Sequence, residues 1–155
     1  MTYDHSGGDS AITPCDVLIV EDDVLQAEEM AGFLARAGLD VRTAHDGTVA
    51  VQYAPQLRPR VAVLDYNLPD TNGVQLAAQL RAMLPDTAII LMSGRIEGLS
   101  EQTLREIGIT VFVNKPVPLS ALRQAVLRLV QSGPPKRQAE AQKSWFSTGV
   151  GGQRK

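Results

Sequence analysis

At 155 residues, 44% hydrophobic and 21% charged, the chain has the size and composition of one ordinary globular domain with a real core. A net charge of −2 and a pI near 5.6 exclude the electrostatic footprint of a nucleic-acid or anionic-membrane binder. The single cysteine, Cys15, excludes an intramolecular disulfide and fits a reducing compartment.

Residues 1–15 are polar and contain Gly and Ser, so they are read as a flexible lead-in. Cys15 in that segment is read as incidental, although a thiol exposed there could cross-link two chains. The N-terminus lacks the basic-then-apolar pattern of a signal peptide, and no apolar run has the length of a membrane span. A cytoplasmic location is expected.

The first apolar run, Val17 to Val20, ends in Glu21-Asp22-Asp23. Met30, Phe33, Leu34 and Ala37 then recur at helical spacing over Val24–Ala37, with Gly38 placed to end the helix. Val41 to Ala44 reads as a short strand, and Asp46 as the cap of a helix that Pro59 closes. Val61 to Leu64 is apolar without a break and stops at Asp65, before the turn formers Pro69, Asp70, Asn72 and Gly73. A third helix carries Val74, Leu76, Ala77, Leu80 and Leu84 and stops at Pro85. Ala88 to Met92 is again wholly apolar and leads into Ser93-Gly94. A helix over Leu99–Ile107 ends at Gly108, and a strand over Ile109–Val113 precedes Asn114-Lys115-Pro116. A last helix runs from Pro118 to Gln131, with Leu122, Val126, Leu129 and Val130 in step.

Short strands alternating with helices, and apolar on both faces, predict an α/β fold: a five-stranded parallel sheet covered by helices on both sides. Residues 132–155 turn rich in Gly, Pro, Lys and Gln and read as a disordered tail. The alternative is an arm docking through Trp145 and Phe146.

Parallel strands would bring Glu21, Asp22, Asp65, Ser93 and Lys115 to one edge, where open α/β sheets bind ligands. Crowded carboxylates without His or Cys select a hard cation such as Mg²⁺. A nearby lysine and hydroxyl suit a transferred phosphoryl group, and one carboxylate can act as its acceptor.

This set resembles the receiver domain of two-component response regulators, with the flavodoxin-like, doubly wound (βα)5 fold of that family. The resemblance covers residues 16–131 and rests on four motifs in register: Val20-Glu21-Asp22, the segment Leu64 to Gly73, Met92-Ser93-Gly94 and Lys115-Pro116. It implies that Asp65 accepts a phosphoryl group from a sensor histidine kinase or a histidine phosphotransfer protein. It implies Mg²⁺ bound by Asp22 and Asp65, by Glu21 through water, and by the backbone carbonyl of Asn67. Ser93 would bond the phosphoryl group, Lys115 would pair with it, the Lys115–Pro116 bond would be cis, and Phe112 would be the switch aromatic. Glu21 stands where Asp is commoner. Phe112 lacks the hydroxyl of the common Tyr, and Tyr66 is bulkier than the usual aliphatic. Asn67 and Arg95 occupy positions that tune dephosphorylation in the family.

Taken singly, these residues have plainer readings. Asp65 could be a solubilising strand end, Glu21 to Asp23 a helix cap, Ser93 turn chemistry, Lys115 a solvated lysine and Phe112 a core residue. His5 and His45 lack partners at ligand spacing and read as surface residues. The expected function is a stand-alone phosphoacceptor, not an enzyme, with no second domain after residue 131. Its output would be a phosphorylation-dependent contact through the face of the fourth helix, fifth strand and fifth helix. A homodimer through the last helix or tail is an open alternative. The runner-up is an unphosphorylated binding module. A Mg²⁺-dependent aspartyl phosphohydrolase is disfavoured because Asn67 stands where its general acid would be. A flavin site is disfavoured because the loop after Val20 is acidic where a phosphate cradle is not.

Overall fold

The computed structural model describes residues 14–94 and 99–132. The lead-in through residue 13 with His5, Arg95, and the tail after residue 132 with Trp145 and Phe146 lie outside the described residues.

Strands and helices alternate along the chain: β1 Val17–Val20, α1 Val24–Ala35, β2 Val41–Ala44, α2 Gly47–Leu57, β3 Val61–Asp65, α3 Gly73–Met83, β4 Ala88–Ser93, α4 Glu101–Ile107, β5 Val111–Asn114 and α5 Leu119–Ser132. All neighbouring strands pair in parallel, in the order β2-β1-β3-β4-β5. β1, β3 and β4 are buried along their whole length because helices cover both faces, which is why their sequences are unbroken apolar runs. Successive strand residues point to opposite faces. Leu18, Val20, Ala62, Leu64, Ile89 and Leu91 pack with residues of α2, α3 and α4. Val17, Ile19, Val61, Val63, Ile90 and Met92 pack with residues of α1 and α5. This is the flavodoxin-like, doubly wound fold expected. The order reverses at β1, so the crevice of the sheet opens between the carboxyl ends of β1 and β3.

Several boundaries differ from the sequence reading. α1 stops at Ala35, and Gly38 follows in the left-handed region at φ +92°. Pro59 directly follows the Arg58 cap of α2, as expected, but the helix also contains a proline. Pro55 lies inside its last turn, and the helix ends on Arg58, itself left-handed at φ 42°. Ser100 accepts the Thr103 N–H and so caps α4, leaving Leu99 outside the helix. β5 begins two residues later than the apolar pattern suggests, at Val111.

Cys15 requires a correction. It is 3% exposed and belongs to the core, not to a lead-in. Its N–H donates to the Leu57 carbonyl at 2.8 Å and its thiol faces the Val17 carbonyl at 3.6 Å. Those anchors pin the chain to the end of α2 just before β1, and burial pushes the thiol pKa up to about 12.

Candidate functional site

Glu21 continues the pairing of β1 by one residue, its N–H donating to the Ala44 carbonyl at 3.0 Å. That extension keeps its side chain inside, at 1% exposure, whereas Asp22 turns out to solvent. Asp23 is the cap of α1: its carboxylate accepts the Gln26 N–H at 3.1 Å. β3 carries Asp65 to the same edge at 3% exposure, and β4 carries the fully buried Ser93. The Lys115 N–H donates to the Ser93 carbonyl at 2.9 Å, which ties the chain leaving β5 to the end of β4. The Lys115–Pro116 bond is cis.

Glu21, Asp22 and Asp65 each offer an oxygen within 4.8 Å of the others. Lys115 Nζ donates to Glu21 Oε1 and lies beside Asp65 Oδ1, at 3.2 Å in both cases. The second Glu21 oxygen, Oε2, accepts the Asp23 N–H at 3.2 Å. Burial pushes the Glu21 carboxyl above its ordinary range, and the Asp65 charge pushes it the same way. Burial alone would lower Lys115. The Asp65 and Glu21 carboxylates outweigh it and hold the ammonium above its ordinary range. Three carboxylates facing one ammonium leave the cluster short of positive charge. Oxygen-only donors of this kind fit a hard divalent cation.

Asn67 follows Asp65 by two residues, with its N–H 3.4 Å from Asp65 Oδ1. It forms an isolated antiparallel bridge with Asn72, which closes the base of the β3–α3 loop. Phe112 is half-buried against the core beneath α2, α3 and α4, opposite Leu91 on β4. That packing fits the reading of Phe112 as a core residue.

Two residues at this edge escaped the sequence reading. His45 is not a plain surface residue: it is half-buried, with Nδ1 3.0 Å from the Glu21 carbonyl oxygen. Asp70, read only as a turn former, accepts the Gly47 N–H at 2.9 Å, the Thr48 N–H at 2.8 Å and the Thr48 hydroxyl at 2.7 Å. Those bonds hold its pKa down at about 2. Its partners are more than twenty positions away in the chain, so no local pattern announces them.

Fold and site together define a doubly wound α/β domain with an acidic pocket closed by a lysine at its carboxyl edge. The response regulator receiver domain model matches residues 17–127, and the chain belongs to that family. It is 32% identical over 123 residues to the transcriptional regulatory protein PrrA of Mycobacterium bovis, covering 79% of this chain and 53% of PrrA. It is 36% identical over 122 residues to a protein-glutamate methylesterase/protein-glutamine glutaminase of Archaeoglobus fulgidus, covering 74% of this chain and 35% of that protein. The chain thus spans about half or less of these relatives. A CheY-like receiver domain protein from Methanospirillum hungatei superposes with a TM-score of 0.72 at 20% identity, covering 83% of this chain and 98% of that one. Receivers of this family bind Mg²⁺ at an acidic pocket and interact with histidine kinases or phosphotransfer proteins. Among the described residues, no helix is long and apolar enough to cross a membrane.

Proposed function

We propose that the protein accepts a phosphoryl group on Asp65 from a histidine kinase or a histidine phosphotransfer protein. The observation that carries this reading is the Lys115 ammonium shared between two buried carboxylates, one of them Asp65. In the transfer, an Asp65 oxygen bonds to phosphorus as the phosphorus–nitrogen bond of the donor's phosphohistidine breaks. The electron pair leaves with the imidazole, and Asp65 becomes an acyl phosphate. Lys115 already lies beside the Asp65 oxygen and would pair with a phosphoryl oxygen as that group arrives. The Ser93 hydroxyl, on the neighbouring strand, would bond another.

Glu21, Asp22, Asp65 and the Asn67 carbonyl are the groups that would hold Mg²⁺. When bound, Mg²⁺ supplies charge neutralisation for the phosphoryl oxygens. The face of α4, β5 and α5 would report the change to a partner protein, with Ser93 drawn inward and Phe112 repacking beside it.

The test is the intact mass of the protein after incubation with acetyl phosphate and Mg²⁺. One added phosphoryl group on the wild type, absent from Asp65→Asn and absent in EDTA, is the expected result. No adduct on the wild type would overturn the reading in favour of an unphosphorylated binding module.

A further inference from the structure

The β3–α3 loop carries the Asn67 carbonyl, a cation ligand in the function proposed above, yet Asn67 itself is exposed. The loop is anchored at both of its levels. At its base, Asn67 bridges Asn72 and the Gly73 N–H donates to the Tyr66 carbonyl at 2.8 Å. At its tip, Asp70 takes three hydrogen bonds from the first turn of α2, two to backbone amides and one to the Thr48 hydroxyl. The first amides of a helix lack partners within the helix, so a carboxylate placed there is held strongly. The two structures also touch closely: a Cβ on Gly47 would fall 2.6 Å from Thr71 Cγ2 and 3.4 Å from Asp70 Oδ1.

The other side of the α2 entry touches the acidic pair. His45 Nδ1 lies 3.0 Å from the Glu21 carbonyl oxygen, and the Glu21 N–H donates to the Ala44 carbonyl. The β2–α2 turn therefore bonds on one side to the loop bearing Glu21 and Asp22, and on the other to the loop bearing Asn67. It contributes no carboxylate to the acidic cluster itself.

We propose that Asp70 is a positioning residue for the divalent-cation site: its clamp on Gly47 and Thr48 fixes the Asn67 loop at the spacing that the Glu21–Asp22–Asp65 cluster requires. The inference rests on the reading of that cluster as a cation site. Mg²⁺ needs near-ideal octahedral geometry, so a ligand loop that drifts is costly even when every ligand is present. Residues that hold ligands in place contribute to metal affinity without touching the metal.

The experiment is a Mg²⁺ titration, followed by calorimetry or amide chemical shifts, with thermal unfolding in EDTA measured alongside. Asp70→Ala should weaken Mg²⁺ binding by about tenfold. Thr48→Val removes one of the three bonds at an exposed side chain and should weaken binding in the same direction by less. Asp46→Ala is the control: it strips the Val49 cap from the same helix end but leaves the Asn67 loop tied. It should bind Mg²⁺ as the wild type does despite a lower Tm. Wild-type affinity in both Asp70→Ala and Thr48→Val, or equal weakening in Asp46→Ala, overturns the clamp while the cation site stands. A wild type that does not saturate with Mg²⁺ overturns the cation reading and the clamp with it.

Discussion

Lys115 Nζ lies 3.2 Å from Glu21 Oε1, an ion pair that joins the chain after β5 to the end of β1 across 94 positions. The same nitrogen lies 3.2 Å from Asp65 Oδ1, so two buried like charges are held together by one shared cation. Burial raises the Glu21 pKa, and the neighbouring Asp65 charge pushes it the same way against the pull of the shared ammonium.

The sign of that shift makes a stability prediction. A carboxyl whose folded pKa is raised ionises at a cost to the folded state. The cost is absent below the unfolded value and grows as pH rises through the folded value. Glu21→Gln should therefore stabilise the protein in EDTA at pH 7, by about 1 kcal/mol or a few degrees in Tm. The gain should vanish below the ordinary Glu range. The same variant should bind Mg²⁺ more weakly. Equal Tm for the two proteins at pH 7, measured in EDTA, would refute the account.

Asp70 carries the opposite sign. Its pKa falls from 3.8 to about 2 because Thr48 and Gly47 donate to its ionised form. The stability it contributes is complete above its unfolded value and is lost as pH falls through about 2. Acid unfolding of the wild type should steepen between those values, and Asp70→Asn should flatten that part of the curve. The carboxylate is exposed, so added salt should shrink the difference between the two proteins. Parallel acid titrations at low and high salt provide the check.

Much of this molecule is written locally, and the exceptions share one cause. The strands β1, β3 and β4 are legible because burial on both faces demands unbroken apolar runs. The site is legible as far as each member ends a strand: Asp65 and Ser93 close β3 and β4, and Glu21 follows β1 directly. Asp70 and His45 were missed because their partners come from other loops, and a turn-forming Asp looks the same whether or not a helix end receives it. Cys15 was misplaced for the same reason, since the Leu57 carbonyl that anchors its backbone lies forty-odd residues on. Pro55 is a different exception: with no N–H for the carbonyl four residues back, a proline is expected to break a helix, yet α2 runs through it to Leu57 and stops just before Arg58 and Pro59.

The burial of Cys15 predicts a silent thiol. The thiolate is the reactive form, and a pKa near 12 leaves almost none of it at pH 8. An aromatic disulfide reagent should label the native protein only as fast as local opening exposes the residue. In denaturant the same reagent should label it at once. Rapid native labelling, or disulfide-linked dimers on air oxidation of the folded protein, would contradict this placement.

Gly73 predicts where the fold and the site share a single point of failure. A Cβ there would fall 2.6 Å from Leu91 Cδ1, 2.7 Å from the Asp65 carbonyl oxygen and 3.0 Å from Tyr66 Cα. A leucine methyl can turn aside, but the backbone of the residue proposed to accept the phosphoryl group cannot. Gly73→Ala should destabilise the protein by about 1–3 kcal/mol, the usual range for forced overpacking. It should also slow labelling by acetyl phosphate, because the displaced oxygen belongs to Asp65 itself. Leu91→Ala in the same chain removes only the side-chain clash, so it should restore neither Tm nor labelling. Recovery of both in the double variant would place the conflict in the core packing of Leu91 and not at the strand end that bears Asp65.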